Sequence, residues 1–204
     1  WTPYQQNYKK DGKWQKLSDK LKPEEKPKPE ASLWQKMTGT EPKAEAPSRF
    51  TVDAGNLKSE FKPLAEGLTI TVEKKTFTIT PEGAKNATPE QLDDRSVIYR
   101  DVWKDTDIIY EMRGESIKEI IVLKSKDAKA NYRFNVKDAK VIAHPSRNGE
   151  LAIEGLSEDY SFSSLTLDLQ DRGVISEQRV TQTAGKDGKS IDVVMDADWL
   201  KKQP

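Results

Sequence analysis

From Arg49 onward, apolar and polar residues alternate with the period of two that turns one strand face to a core and the other to water. In "LTITVEKKTFTITPEG", Leu68, Ile70 and Val72 share one face, and Phe77 and Ile79 share a face of the returning run. Lys74-Lys75 falls between the two. Runs of the same kind are "RFTVDAG", "SVIYRDVW", "TDIIYEM", "SIKEIIVLK", "NYRFNVK", "KVIAH", "ELAIEG", "SSLTLDL", "VISEQRVTQT" and "SIDVVMDADWL". Breaks such as "RGES", "SRNGE", "DRG" and "GKDGK" carry the residues that turns need. Many short strands with frequent turns predict an all-β, mainly antiparallel fold, sandwich-like or of two packed sheets. "NATPEQLDD" reads as a loop with a turn of helix, started by Thr88 with Pro89 at its first position.

The most apolar stretch, "DIIYEMRGESIKEIIVLKS" (107–125), predicts a hairpin folded at Gly114–Glu115. Its register sets Met112 opposite Ile117, Tyr110 opposite Glu119 and Ile108 opposite Ile121 on one face. On the other face Glu111 meets Lys118, a cross-strand charge pair, and Ile109 meets Ile120. Apolar residues on both faces over 120–123 predict a central strand, covered on both sides. Glu119 then sits among Ile117, Ile121 and Tyr110. A buried carboxylate needs a partner, and Tyr110, a backbone amide or a nearby Lys is expected to supply one. The other reading is a carboxylate lining a polar pocket.

Residues 1–21 read as an N-terminal hairpin packing on the main domain, with Asp11-Gly12 as its turn. Residues 22–47 form a Pro/Lys/Glu-rich linker, holding five of the 11 prolines. Within it, "ASLWQKMTG" predicts one short helix over 31–38. Such a helix is not stable alone, so Leu33, Trp34 and Met37 are read as an anchor docking the linker onto its own domain. A docking peptide for a partner is the alternative. Residues 48–204 make the β-rich domain.

Hydrophobic residues are 34% of the 204 and charged residues 33%, with 34 basic and 34 acidic side chains that cancel. Mixed signs along the chain describe a solvated surface, and no basic stripe interleaved with aromatics marks a nucleic-acid partner. The chain has no cysteine, which excludes disulfides, thiolate metal sites and thiol nucleophiles. No run of 18 apolar residues exists to form a transmembrane segment. The start at Trp1 rather than Met is that expected of a cut or processed chain.

The chemistry expected of this chain is non-catalytic. His144 is the only histidine and reads as a loop or strand-end residue; a Ser-His-Asp triad would need a serine beside it. No "G-x-S-x-G" elbow occurs. Zinc wants several His or Cys; "KDTD" (104–107) and "DADW" (196–199) could hold a calcium ion through carboxylate oxygens but match no twelve-residue EF-hand loop and read as acidic turns and a strand end, so no metal and no cofactor is expected. Paired carboxylates for a glycoside-hydrolase-like enzyme remain an alternative that the abundance of Asp and Glu makes unspecific. Trp1, Tyr4, Tyr8 and Trp14 are candidates for a carbohydrate-binding or adhesive face, or else cover the edge of the core.

Two segments resemble a known family. "NYKKDGKWQKLSDKL" is similar to the opening segment of the N-terminal β-rich region of bacterial RHS-repeat, wall-associated and DNRLRE-domain surface proteins. "VIYRDVWKDTDIIYEMRGESIKEIIVLKS" resembles that region's signature. There a Y-x-(N/D)-V step leads to D-(L/I)-x-Y-E and then to (L/I/V)-K-E-x-I-V-L. Tyr99, Asp101, Val102, Asp107, Tyr110, Glu111, Lys118, Glu119, Ile121, Val122 and Leu123 occupy those places. "DADWL" (196–200) resembles the closing strand of the module. The proline-rich insert is longer than the connection usual in the family. The resemblance implies a non-catalytic structural module of an exported or cell-surface bacterial protein. It would sit outside the cell and dock to downstream domains of the same polypeptide, with cell-wall glycan or another surface protein as further partners. The signature residues Asp107, Tyr110, Glu111, Lys118 and Glu119 are then structural.

Overall fold

The computed structural model describes residues 7–10, 12–24, 37, 46–169, 173–175 and 179–203. Trp1, Tyr4, Leu33 and Trp34, and with them the expected helix over 31–38, lie outside the described residues. Met37 alone of that segment is described, and it is exposed.

The chain is mostly antiparallel β. Its strands are β1 (Asn7–Lys10), β2 (Lys13–Lys16), β3 (Lys22–Pro23), β4 (Phe50–Ala54), β5 (Leu57–Phe61), β6 (Leu68–Val72), β7 (Lys75–Pro81), β8 (Glu90–Gln91), β9 (Ser96–Trp103) and β10 (Thr106–Met112). They continue with β11 (Ile117–Leu123), β12 (Asn131–Lys137), β13 (Val141–Ala143), β14 (Leu151–Ile153), β15 (Ser161–Phe162), β16 (Leu167–Leu169), β17 (Gly173–Ile175), β18 (Val180–Ala184) and β19 (Ser190–Met195). One short helix, α1 (Ala197–Leu200), closes the series. An eight-stranded sheet runs β18-β19-β12-β7-β6-β5-β4-β3, and a four-stranded sheet runs β11-β10-β9-β8. A three-stranded sheet, β13-β14-β15, and the hairpins β1-β2 and β16-β17 complete the described strands.

Alternation places the core. Strands β4, β5 and β6 bury every second residue, and β12 buries Tyr132, Phe134 and Val136 while exposing the residues between. The strands β9 and β10 bury residues on both faces, as strands inside a structure do. The two large sheets meet through rings: Phe61 lies 5.9 Å from Tyr110, and Trp103 lies 4.7 Å from Tyr132 and 6.1 Å from Phe134. Two polar bonds stitch the same seam, from the Tyr99 hydroxyl to the Lys62 carbonyl (2.8 Å) and from the Trp103 indole to the Glu82 carbonyl (3.1 Å). This is the sandwich-like packing of two layers.

The 107–123 hairpin has the expected register throughout, from Thr106 opposite Leu123 to Met112 opposite Ile117. Its position is a correction. Strand β10 is the inner one, whereas β11 stands at the edge of the sheet with Ile120, Ile121, Val122 and Leu123 half-buried. Three other expectations change. Residues 88–94 form no helical turn; β8 pairs with β9 there instead. "DADWL" is not a strand: Asp196 accepts from the Trp199 amide (2.9 Å) and caps α1, the arrangement an N-terminal Asp favours. Strand β5 is not among the predicted runs, because Lys58, Ser59 and Glu60 leave it only two apolar positions; Ser59 points inward, 1% exposed, against Met112.

Candidate functional site

The signature residues converge on the hairpin of β10 and β11. Asp107 is buried at the start of β10, where the pairing with β9 is irregular. Its carboxylate accepts from the Asp101 amide (2.7 Å) and from the Lys124 ammonium (2.8 Å), and Lys124 also bonds Asp101. Burial pulls the Asp107 carboxyl up, but Lys124 and the amide outweigh it and hold the group below the ordinary carboxylate value. Asp101 and Asp105 take left-handed backbone, both at φ 51°, which Asp tolerates better than bulkier residues. Asp105 accepts from the Ser125 hydroxyl (2.7 Å), so these acids hold the irregular crossing of β9 and β10 and the start of the next loop.

Tyr110 faces Glu119 across the hairpin. Tyr110 is 2% exposed, packed by Phe61 and by Tyr99 at 6.0 Å edge-on. Glu119, on the edge strand, keeps much of its surface in solvent while its carboxyl reaches the buried Tyr110 hydroxyl. Crowding by protein pushes that carboxyl up to about 7, against the opposing pull of the Tyr110 hydrogen bond. Burial first, and then the Glu119 charge, raise Tyr110 well above its ordinary value. Glu111 stands opposite Lys118 in the register, but its ion pair is with Arg113 (2.7 Å), two residues along the same strand end. Lys118 is exposed.

The aromatic candidates part company. In the first hairpin Tyr8 pairs with Gln15 and Lys9 with Trp14, so Tyr8 and Trp14 lie on opposite faces. Tyr8 is half-buried against the core, and its hydroxyl donates to the Gln15 side chain (3.0 Å). Its ring lies over Gly55. A Cβ at 55 would stand 2.9 Å from that ring and 2.5 Å from the Glu115 carboxylate, which accepts from the Asn56 amide (2.7 Å). Glycine at φ +70° is what lets them meet. Trp14 points the other way, 73% exposed.

His144 is buried rather than merely terminal, and Ser146 does stand beside it. The ring is nevertheless occupied. Nδ1 accepts from the amides of Ser146 (3.2 Å) and Arg147 (3.1 Å), which leaves Nε2 as the N–H that donates to the Glu158 carbonyl (3.1 Å). The Ser146 hydroxyl, 3.5 Å from Nδ1, donates to Glu158 (3.0 Å). A base must have a free nitrogen for the nucleophile's proton, and this one has none. The network locks a loop, a role unreadable in sequence because its partners are backbone atoms and a residue 14 positions on. Gln182 does the same from β18, its amide donating to the carbonyls of Gly149 (3.2 Å), Phe162 (3.0 Å) and Ser163 (2.7 Å).

Two surface hollows stand out. One, of about 490 Å³, is lined by Pro47, Phe50, Pro89, Glu90 and Arg100 among others; Glu90 is bonded to Arg100 (3.0 Å). The second, of about 570 Å³, lies among Asn56, Glu73, Lys74, Lys75, Gly155 and Leu156. Among the described residues each has one carboxylate on its wall, where glycoside hydrolysis takes two. Among the described residues no three metal-ligating side chains gather, and no helix is long and apolar enough to cross a membrane.

These features define an all-β, mainly antiparallel protein in which Asp101, Asp105, Asp107, Lys124 and Ser125 form one connected polar network. No family model, curated protein or solved structure matches the chain.

Proposed function

We propose that the chain is a non-catalytic structural module of an exported or cell-surface bacterial protein, docking to neighbouring β domains of its own polypeptide. One observation carries the reading: two charges of the signature, Asp107 and Glu119, are engaged in tying strands to one another. Asp107 binds Lys124 and a backbone amide, Glu119 takes the Tyr110 hydroxyl, and Glu111 pairs with Arg113. Groups committed to one another in this way rigidify a framework. The test joins the module to the domain that follows it in the polypeptide. Mutual stabilisation in calorimetry, with new exchange protection at the junction, is expected; two independent transitions would refute docking.

A carbohydrate-binding module is the second reading, favoured by the exposure of Trp14. Titration with wall glycans, followed by tryptophan fluorescence in the parent and in Trp14→Ala, separates the two. A saturable signal that the substitution removes supports the second reading.

A further inference from the structure

Strand β11 carries the sequence of an inner strand at an outer position. Ile120 and Val122 are apolar on one face, and Ile117, Ile121 and Leu123 on the other, yet among the described residues β10 is its only neighbour. Seven residues of such an edge, whose outward N–H and C=O groups meet no other strand among the described residues, make a template for another strand. Proteins usually guard such edges with prolines or inward charges. Here the apolar run 120–123 has neither.

We propose that this edge pairs with the same edge of a second copy, antiparallel, about a two-fold axis at Ile120. A two-fold normal to the sheet keeps like faces together, so it pairs residues of equal parity. Charge decides among the registers. Centred on Glu119, the two Glu119 carboxylates would oppose each other; centred on Ile121, Lys118 would oppose Lys124. Both place like charges directly across, which is destabilising. Centred on Ile120, all seven residues pair and no like charges meet. Ile117 faces Leu123, Lys118 faces Val122, and Glu119 faces Ile121.

The neighbouring strands agree with that choice. Ile109 lies opposite Ile120 within one copy. Across the dimer the central row on that face reads Ile109, Ile120, Ile120, Ile109, four β-branched side chains in line. The rows to either side read Glu111, Lys118, Val122, Asp107 and its mirror, with every charge at a distance from its like. The four-stranded sheet becomes an eight-stranded one, continuous through the axis. This pairing is independent of whether the module also docks to domains of its own polypeptide.

The wild-type chain is measured by sedimentation and light scattering across the micromolar range. A concentration-dependent rise from 23.1 kDa toward twice that mass is expected. Ile120→Lys, which sets two lysines against each other at the axis, is expected to weaken association about tenfold or more while an unchanged CD spectrum reports a folded monomer. The register has its own readout because the chain lacks cysteine. Directly opposed β positions lie within disulfide reach. Ile120→Cys is expected to cross-link to itself on mild oxidation, well ahead of a Leu92→Cys control on another exposed surface. A parent chain that stays monomeric throughout, or an Ile120→Cys variant that cross-links no faster than the control, overturns the proposal.

Discussion

The Tyr110 hydroxyl and the Glu119 carboxyl are bonded across β10 and β11, with the phenol buried and the acid reaching inward from the sheet edge. The folded-state value of Glu119, about 7, lies above its ordinary 4.5, so folding takes up a proton at this site. Its contribution is fully present below 4.5 and is lost as pH rises through about 7. The melting temperature is therefore expected to fall between about pH 5 and pH 8, and Glu119→Gln to flatten that slope. Tyr110→Phe removes the bond that favours the ionised acid, so its midpoint moves higher. Thermal unfolding at a series of pH values checks all three.

The Asp107–Lys124 pair acts in the opposite direction. Asp107 is held below 3.8 in the folded chain, so its contribution is present above that value and lost as pH falls through the folded one. Asp107→Asn leaves Lys124 without its buried partner and weakens the bond to the Asp101 amide. A loss of about 1–3 kcal/mol in urea unfolding near neutral pH is expected, with an acid limb shallower than that of the parent.

His144→Ala should strip acceptors from the amides of Ser146 and Arg147 and the donor from the Glu158 carbonyl. Ser146, Arg147 and Glu158 are themselves exposed, so water can replace part of what is lost, and a cost of about 0.5–1.5 kcal/mol is expected. Hydrogen exchange is the direct measure: protection is expected to drop over residues 144–161 while β9 to β11 stay protected.

Gly55→Ala forces a side chain into left-handed backbone, about 1–2 kcal/mol, and into the space held by Glu115 and the Tyr8 ring. The first hairpin should lift from the domain. Faster exchange and proteolysis within residues 7–16, with little change in the large sheet, are expected.

Much of the fold was legible because strand periodicity is a local signal. The hairpin of β10 and β11 was readable pair by pair, since alternation and the Gly114–Glu115 turn together leave one register. The placement of β11 was not readable. Apolar residues on both faces say that a strand wants two neighbours, and nothing local says whether a second is present in the same chain. Strand β5 was hidden because its inward Ser59 is polar and answers Met112, which is far away in sequence. At α1, Asp196 offered an N-cap that outweighed the apolar run before it. The candidate site divided the same way. Tyr110 as the partner of Glu119 followed from register, whereas Arg113 as the partner of Glu111 depends on a side chain bending back along its own strand. The Asp107–Lys124–Asp101 knot needs the irregular crossing of β9 and β10, which no pattern announces.

Tyr99 and Trp103 sit four positions apart on one strand, and each grips the main chain beside the opposite sheet, at Lys62 and at Glu82. A pull that slid one layer over the other would load both grips together rather than one after the other. Resistance to shear along β9 is thus built into the seam, at two points where a side chain of one layer holds the main chain beside the other.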